Sequence, residues 1–235
     1  MTGSGRQPRL RHERADQRAQ LLWYRFARAV VSGLCHVYWR VTVVGADHVP
    51  MAGPFVLAPV HRSNIDTLLC GCVTRRRMRF MGQDSLWKYG WSGALFSSLG
   101  GFPVHRGMPD REALRRCEAA IRDGEPVVLF AEGARRSGPV VQPLFEGAAF
   151  IAARTGVPIV PVGIGGSEWA MPKGSRLLHP VKVAIVIGAP IPPPSRREGS
   201  TRVSRRDIAD VTATLHHELQ LLYDEALFRA GRPTG

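Results

Sequence analysis

Lysine is nearly missing from this chain. Only Lys88, Lys173 and Lys182 occur among its 32 basic residues, and the other 29 are arginines. Acidic residues are also few, 19 in 235, so the formal net charge is +13. A planar guanidinium fork suits phosphate better than an ammonium does, and the imbalance points to an anionic partner: nucleic acid, an anionic membrane surface or a phosphorylated substrate. Cysteine is scarce. Cys35, Cys70, Cys72 and Cys117 show no zinc or redox spacing, which leaves free buried thiols in a reducing compartment. There is no run of 18 uncharged apolar residues, so a conventional membrane-spanning helix is excluded. The first 20 residues lack the apolar core of a signal peptide, and the folded domain is expected to face the cytoplasm. Internal repeats, basic–aromatic repeats and recognised nucleic-acid motifs are all missing, which disfavours a nucleic-acid-binding protein.

What is present suits one domain of ordinary composition, 44% apolar, over residues 41–230. Residues 1–12 read as a disordered basic tail. Residues 13–40 read as an amphipathic helix, with Leu21, Leu22, Phe26, Val30, Leu34, Val37 and Tyr38 at three- and four-residue spacing. Two readings of that helix are open: a surface helix docked on the core, or a basic helix in the membrane interface anchored by Trp23, Tyr24, Tyr38 and Trp39. Short apolar runs predict strands over 41–44, 55–60, 79–82, 126–130, 157–164 and 181–187. Helical patterns fill 65–73, 86–102, 110–122, 145–155 and 204–230, the last opened by the cap-like Ser204 to Asp207. Residues 86–102 read as a core helix or as an apolar surface for an acyl chain or lipid. Alternating strands and helices predict an α/β fold, a sheet covered by helices on both faces.

Chemistry concentrates where predicted strands end. His61 and Asp66 follow the run from Phe55 to Val60. A neutral imidazole there can take a proton from a hydroxyl, and a carboxylate beside it would hold its tautomer and stabilise the imidazolium. Alone, the pair reads equally as a local turn. Gly100-Gly101-Phe102-Pro103-Val104-His105-Arg106 is a glycine turn leading to an arginine suited to phosphate. Phe130-Ala131-Glu132-Gly133-Ala134-Arg135-Arg136-Ser137 crowds a glutamate, a glycine and two arginines at another strand exit. There Glu132 is expected to hold Arg135 or Arg106, or to bond substrate hydroxyls. Val157-Pro158-Ile159-Val160-Pro161-Val162 is too apolar for either chemistry and reads as sheet or as the wall of an acyl pocket.

In their order these four blocks resemble the 1-acyl-sn-glycerol-3-phosphate acyltransferase family of the glycerolipid acyltransferases, over about residues 41–191. That family shows His-xxxx-Asp, then Gly-x-x-Phe-x-x-Arg, then Phe-Pro-Glu-Gly-Thr-Arg-Ser, then Val-Pro-Ile-Val-Pro. The chain departs from the pattern at Val60, Pro103, His105, Ala131 and Ala134, and at Gln83 and Glu146, near which the family often carries lysines.

The resemblance implies a central mixed, mostly parallel sheet with helices on both faces. It implies fatty acyl transfer from acyl-CoA or acyl-carrier protein to the hydroxyl of lysophosphatidic acid, giving phosphatidic acid. His61 would be the general base and Asp66 its partner. Ser63, Gln83, Arg106, Glu132, Gly133 and Arg135 would bind substrate, with Arg106 and Arg135 on the phosphate. No metal or organic cofactor is implied; the acyl thioester is a co-substrate. The enzyme would sit on the anionic cytoplasmic face of the cell membrane, peripheral or monotopic, without a nucleic-acid partner. Other acceptors are the alternative: glycerol 3-phosphate, another lysophospholipid or a glycolipid.

Overall fold

The computed structural model describes residues 6–83, 88, 90–104, 111–175, 177–194 and 203–233. Seven strands alternate with helices. In chain order they are α1 (Arg6–Tyr38), β1 (Thr42–Val44), β2 (Val56–Pro59), α2 (Asp66–Cys70), β3 (Arg79–Gln83), α3 (Gly90–Ser98) and β4 (Gly101–Val104). There follow α4 (Arg111–Arg122), β5 (Val127–Val128), α5 (Gly147–Thr155), β6 (Ile159–Gly165), α6 (Ser167–Ala170), β7 (Ala184–Ile187) and α7 (Arg205–Arg229). The strands form one sheet in the order β1-β7-β6-β2-β5-β3-β4. Every neighbouring pair is parallel except β6 with β7. The fold is therefore α/β, as the alternating pattern predicts, with the mixed, mostly parallel sheet that the resemblance implies.

The centre of the sheet is its most apolar part. Phe55 to Ala58, Ile159, Val160 and Val162 are fully buried, which requires apolar side chains on both faces of the strand. β2 lies between β5 and β6, in register Leu57 with Val128 and Val160. Helices α4, α5 and α7 pack together and on the sheet, while α1, α2 and α3 form a second group. β5 is shorter than its apolar run. Leu129 still donates to Leu57 O (2.9 Å), and then the chain leaves the sheet for the site described below. Of the helix predicted over 86–102, residues 86, 87 and 89 lie outside the described residues, Gly90–Ser98 form α3, and Gly101 and Phe102 instead open strand β4.

The N-terminal helix starts at Arg6, inside the stretch expected to be a disordered tail. Arg, Gln, Leu and Glu in residues 6–13 are good helix formers, and Pro8 falls in the first turn, where proline is tolerated. At the other end of the chain, Ser204 caps α7 by accepting from Asp207 N (3.1 Å).

α7 can lie close on β6 because Gly163 and Gly165 present no side chain to it. A Cβ at Gly163 would stand 2.2 Å from Leu222 O, and one at Gly165 2.2 Å from the Ala226 carbonyl. Backbone cannot yield as a side chain tip can. We expect Gly163→Ala to lower unfolding free energy by about 1–3 kcal/mol or more, the usual cost of overpacking, read as a lower urea midpoint.

Candidate active site

The five parallel strands β6, β2, β5, β3 and β4 send their carboxyl ends to one edge of the sheet. Loops leaving that edge are where α/β folds place ligands. His61 stands two residues beyond β2, and the Phe130 to Ser137 loop leaves β5 beside it. Backbone joins the two exits: Arg136 N donates to His61 O (2.9 Å).

The turn from His61 into α2 wraps around one carboxylate. Asp66 Oδ2 accepts from Arg62 N (2.6 Å) and Ser63 N (2.7 Å) and lies 3.0 Å from His61 Nδ1. Two backbone donors hold the carboxylate in place, and it has no exposure to water. A carboxylate can only accept, so the Nδ1 it faces carries the proton and Nε2 keeps a free lone pair. The imidazole stacks on Phe130, with ring centroids 4.0 Å apart and planes at 22°. Its side chain stays 15% exposed, and no described residue hydrogen-bonds Nε2. The ring is thus fixed by Asp66 at one edge and Phe130 on one face, with its basic nitrogen left open.

Arg62 ties the dyad to the next loop, a role that sequence reasoning missed. Its guanidinium is fully buried and meets Glu132 Oε2 at 2.6 Å. It also donates to Gly138 O (3.2 Å), Val140 O (3.2 Å) and His61 O (3.3 Å), and lies 4.7 Å over the Tyr223 ring of α7. Glu132 accepts in addition from His61 N (3.2 Å) and Gln142 N (3.0 Å). Burial works against the Arg62 charge, but attraction to the Glu132 carboxylate outweighs it, so the guanidinium is held above its ordinary range. Burial likewise pushes the Tyr223 phenol up to about 12, so it stays neutral beside the cation. The signal was available: a glutamate at the end of a buried strand needs a cation, and Arg62 is in the same sequence block as His61. Only the fold pairs them.

Other expected residues take mixed places. Glu132 pairs with Arg62 and not with Arg135, because its carboxylate points into the core, where it is fully buried. Ser63 is fully buried as well. Its hydroxyl donates to Met171 O (2.9 Å), and its amide to Asp66, so it shapes the turn. Gly133 has a φ of +66°, and a Cβ there would come 2.6 Å from the Phe145 ring, so glycine suits both the bend and the space. Arg135 is half-buried, and among the described residues it has no hydrogen bond or ion pair, which leaves its five donors for an anion. Gln83 closes β3, and its side chain lies outside the described residues, as does Arg106. Among the described residues no group of three or more His, Cys, Asp or Glu side chains is placed to hold a metal.

The Arg62–Glu132 pair yields a stability test. Removing one partner of a buried pair leaves the other charge uncompensated, at about 3–5 kcal/mol. We expect Arg62→Met to lose that much in urea unfolding, and Arg62→Met with Glu132→Gln to regain part of it.

A family model described as Acyltransferase matches residues 40–165. The 1-acyl-sn-glycerol-3-phosphate acyltransferase of Bacillus subtilis is 24% identical over 200 residues, 85% of this chain and 96% of that protein. The chloroplastic 1-acyl-sn-glycerol-3-phosphate acyltransferase BAT2 of Brassica napus is 30% identical over 66% of this chain, which spans only 46% of that longer protein. The crystal structure of the 1-acyl-sn-glycerophosphate (LPA) acyltransferase PlsC from Thermotoga maritima shares the fold, with a TM-score of 0.64, 24% identity and 86% of each chain covered. With the family model matched over more than half its length, across the His61–Asp66 turn and the Glu132 loop, the chain belongs to the acyltransferase family.

Proposed function

We propose that this protein transfers a fatty acyl group from an acyl thioester, acyl-CoA or acyl-carrier protein, to the free hydroxyl of lysophosphatidic acid, forming phosphatidic acid. The observation that carries the reading is the His61–Asp66 pair at 3.0 Å, open at Nε2, with Arg135, which has no hydrogen bond or ion pair among the described residues, on the loop that Arg136 N ties to His61 O. Nε2 of His61 takes the hydroxyl proton as the oxygen attacks the thioester carbonyl. Asp66 keeps Nδ1–H in place and stabilises the imidazolium, the role a carboxylate plays behind a histidine base. The tetrahedral intermediate then expels the thiolate, which takes the proton from Nε2 and leaves as thiol. The acyl group passes directly between substrates, so no acyl-enzyme and no cofactor enter the scheme.

Arg135 grips the acceptor's phosphate, joined by Arg106. Both are forked donors that match phosphate oxygens in pairs. The relatives named for 1-acyl-sn-glycerol-3-phosphate acylation support this acceptor. Ala131 and Ala134 alter the same loop and favour a second reading, another phosphorylated or glycosylated acceptor, which competing acceptors in one assay would separate.

The site of action in this reading is the cytoplasmic, anionic face of the cell membrane. No helix of the described residues is long and apolar enough to cross a bilayer. The outer face of α1 supports peripheral attachment. Leu22, Phe26, Val30, Leu34 and Val37 follow one another at four- and three-residue steps, and each is at least 45% exposed. Tyr24, Cys35 and Trp39 face the core instead. Such a stripe on a basic chain suits a helix lying in the headgroup layer, where each nearby Lys or Arg adds up to about 1 kcal/mol.

Two substitutions test the chemistry. His61→Ala should lower acyl transfer from a thioester to lysophosphatidic acid by about a hundredfold or more; turnover near the wild-type rate would sink the assignment. Arg135→Ala should raise KM for lysophosphatidic acid about tenfold, the loss of a charged hydrogen bond. Its KM for a phosphate-free monoacylglycerol should be unchanged, and an equal rise for both acceptors would remove Arg135 from the phosphate site.

A further inference from the structure

The connection between α6 and β7 has neither helix nor strand among its described residues, yet it is tied down at both ends. At its start, Met171 O accepts from Ser63 Oγ (2.9 Å), inside the His61–Asp66 turn. Farther along, three successive residues at the end of α1 take three successive carbonyls. Tyr38 Oη donates to Leu178 O (2.9 Å), Trp39 Nε1 to His179 O (3.1 Å) and Arg40 Nη2 to Pro180 O (3.2 Å). His179 N in turn donates to Ala170 O (2.8 Å).

A backbone held this firmly presents its side chains in set directions. Leu177 is 70% exposed and Leu178 48%. They are not stray apolar residues on a loose loop, because Leu178 hangs from Tyr38, next to Val37 and one turn from Leu34 on the outer stripe of α1. Exposed apolar residues thus stand both on the helix and on the connection that is hydrogen-bonded to its end. Lys173 and Lys182 stand exposed before and after the leucines, giving the apolar tip the basic flanks that an anionic surface attracts.

We propose that the described residues 171–175 and 177–180 form a second membrane contact, with Leu177 and Leu178 entering the headgroup–acyl boundary of an anionic bilayer alongside the outer face of α1. The inference rests on the peripheral attachment proposed above and adds a separate element to it. It also gives the dyad a mechanical link to the lipid. The connection runs from Leu178 at the bilayer to Met171 on the turn that holds His61, so the depth at which it seats sets how far the base stands from an acceptor still in the membrane.

Flotation of the full chain with vesicles of equal parts phosphatidylglycerol and phosphatidylcholine tests it. Three proteins are compared: wild type, Leu177→Asp with Leu178→Asp, and Leu22→Asp with Phe26→Asp on α1. The loop variant should bind vesicles about tenfold more weakly than wild type, two partly buried leucines being lost. It should keep wild-type turnover on a short-chain, water-soluble acceptor. Wild-type binding by the loop variant, with release of the α1 variant, overturns the inference and leaves peripheral attachment standing. Failure of the wild-type chain to bind overturns both. Should the loop variant misfold, hydrogen exchange on the wild-type chain decides: slower exchange over 177–180 when vesicles are added supports the contact, and unchanged exchange there overturns it.

Discussion

A single buried ion pair joins the parts of this protein that must act together. Arg62 leaves β2 and Glu132 leaves β5, and neither has a partner of opposite charge within its own loop. Once they meet, two backbone segments become one surface. The His61 amide is held by Glu132, the His61 carbonyl by Arg136, and the loop that follows Glu132 by Arg62 through Gly138 and Val140. Two charges taken out of water are costly, and they persist only where geometry and further hydrogen bonds repay the loss. Here every arm of the guanidinium is used, and the Tyr223 ring covers its face. Such a pair contributes less to net stability than its attraction alone suggests, because both charges have been taken out of water.

The sheet supplies the reason the pair can form at all. β2 and β5 are parallel neighbours, so both chains emerge at the same edge and at nearly the same height. β6, on the other side of β2, brings α6 and Met171 to the same edge, where Met171 receives the Ser63 hydroxyl. The dyad is therefore supported by three strand exits, although its two members are only five residues apart. Asp66, with two backbone amides on one oxygen, is held by the turn itself; the imidazole is held by Asp66 and Phe130. Precision at Nε2 is inherited from packing several residues away, which suits a base that must meet a hydroxyl within hydrogen-bond reach.

The outward face of α1 and the leucines of the 171–180 connection reverse the usual rule of burial. The helix hides one apolar edge, Tyr24, Cys35 and Trp39, and leaves another in the open. Exposed apolar surface of this extent on a folded monomer marks an interaction site. With a net charge of +13 around it, the surface suits a partner that is anionic at its face and apolar beneath.

Strand exits, the His61–Asp66 spacing and the capped final helix were all legible in the sequence, because each depends on neighbours within a few residues. Periodicity of two or of three and four, a serine three residues before an aspartate, and a histidine after an apolar run are local facts. Local pattern alone specifies an α/β chain with a His61–Asp66 pair and an arginine-bearing loop at strand ends. It left Glu132 without its partner, Ser63 without its direction and the exposed edge of α1 undecided. The first two were settled only when β2, β5 and β6 came side by side, and the last when α1 packed on α2 and α3. A buried carboxylate chooses its cation by proximity in three dimensions, and a two-sided apolar helix is oriented by whichever edge the core fits.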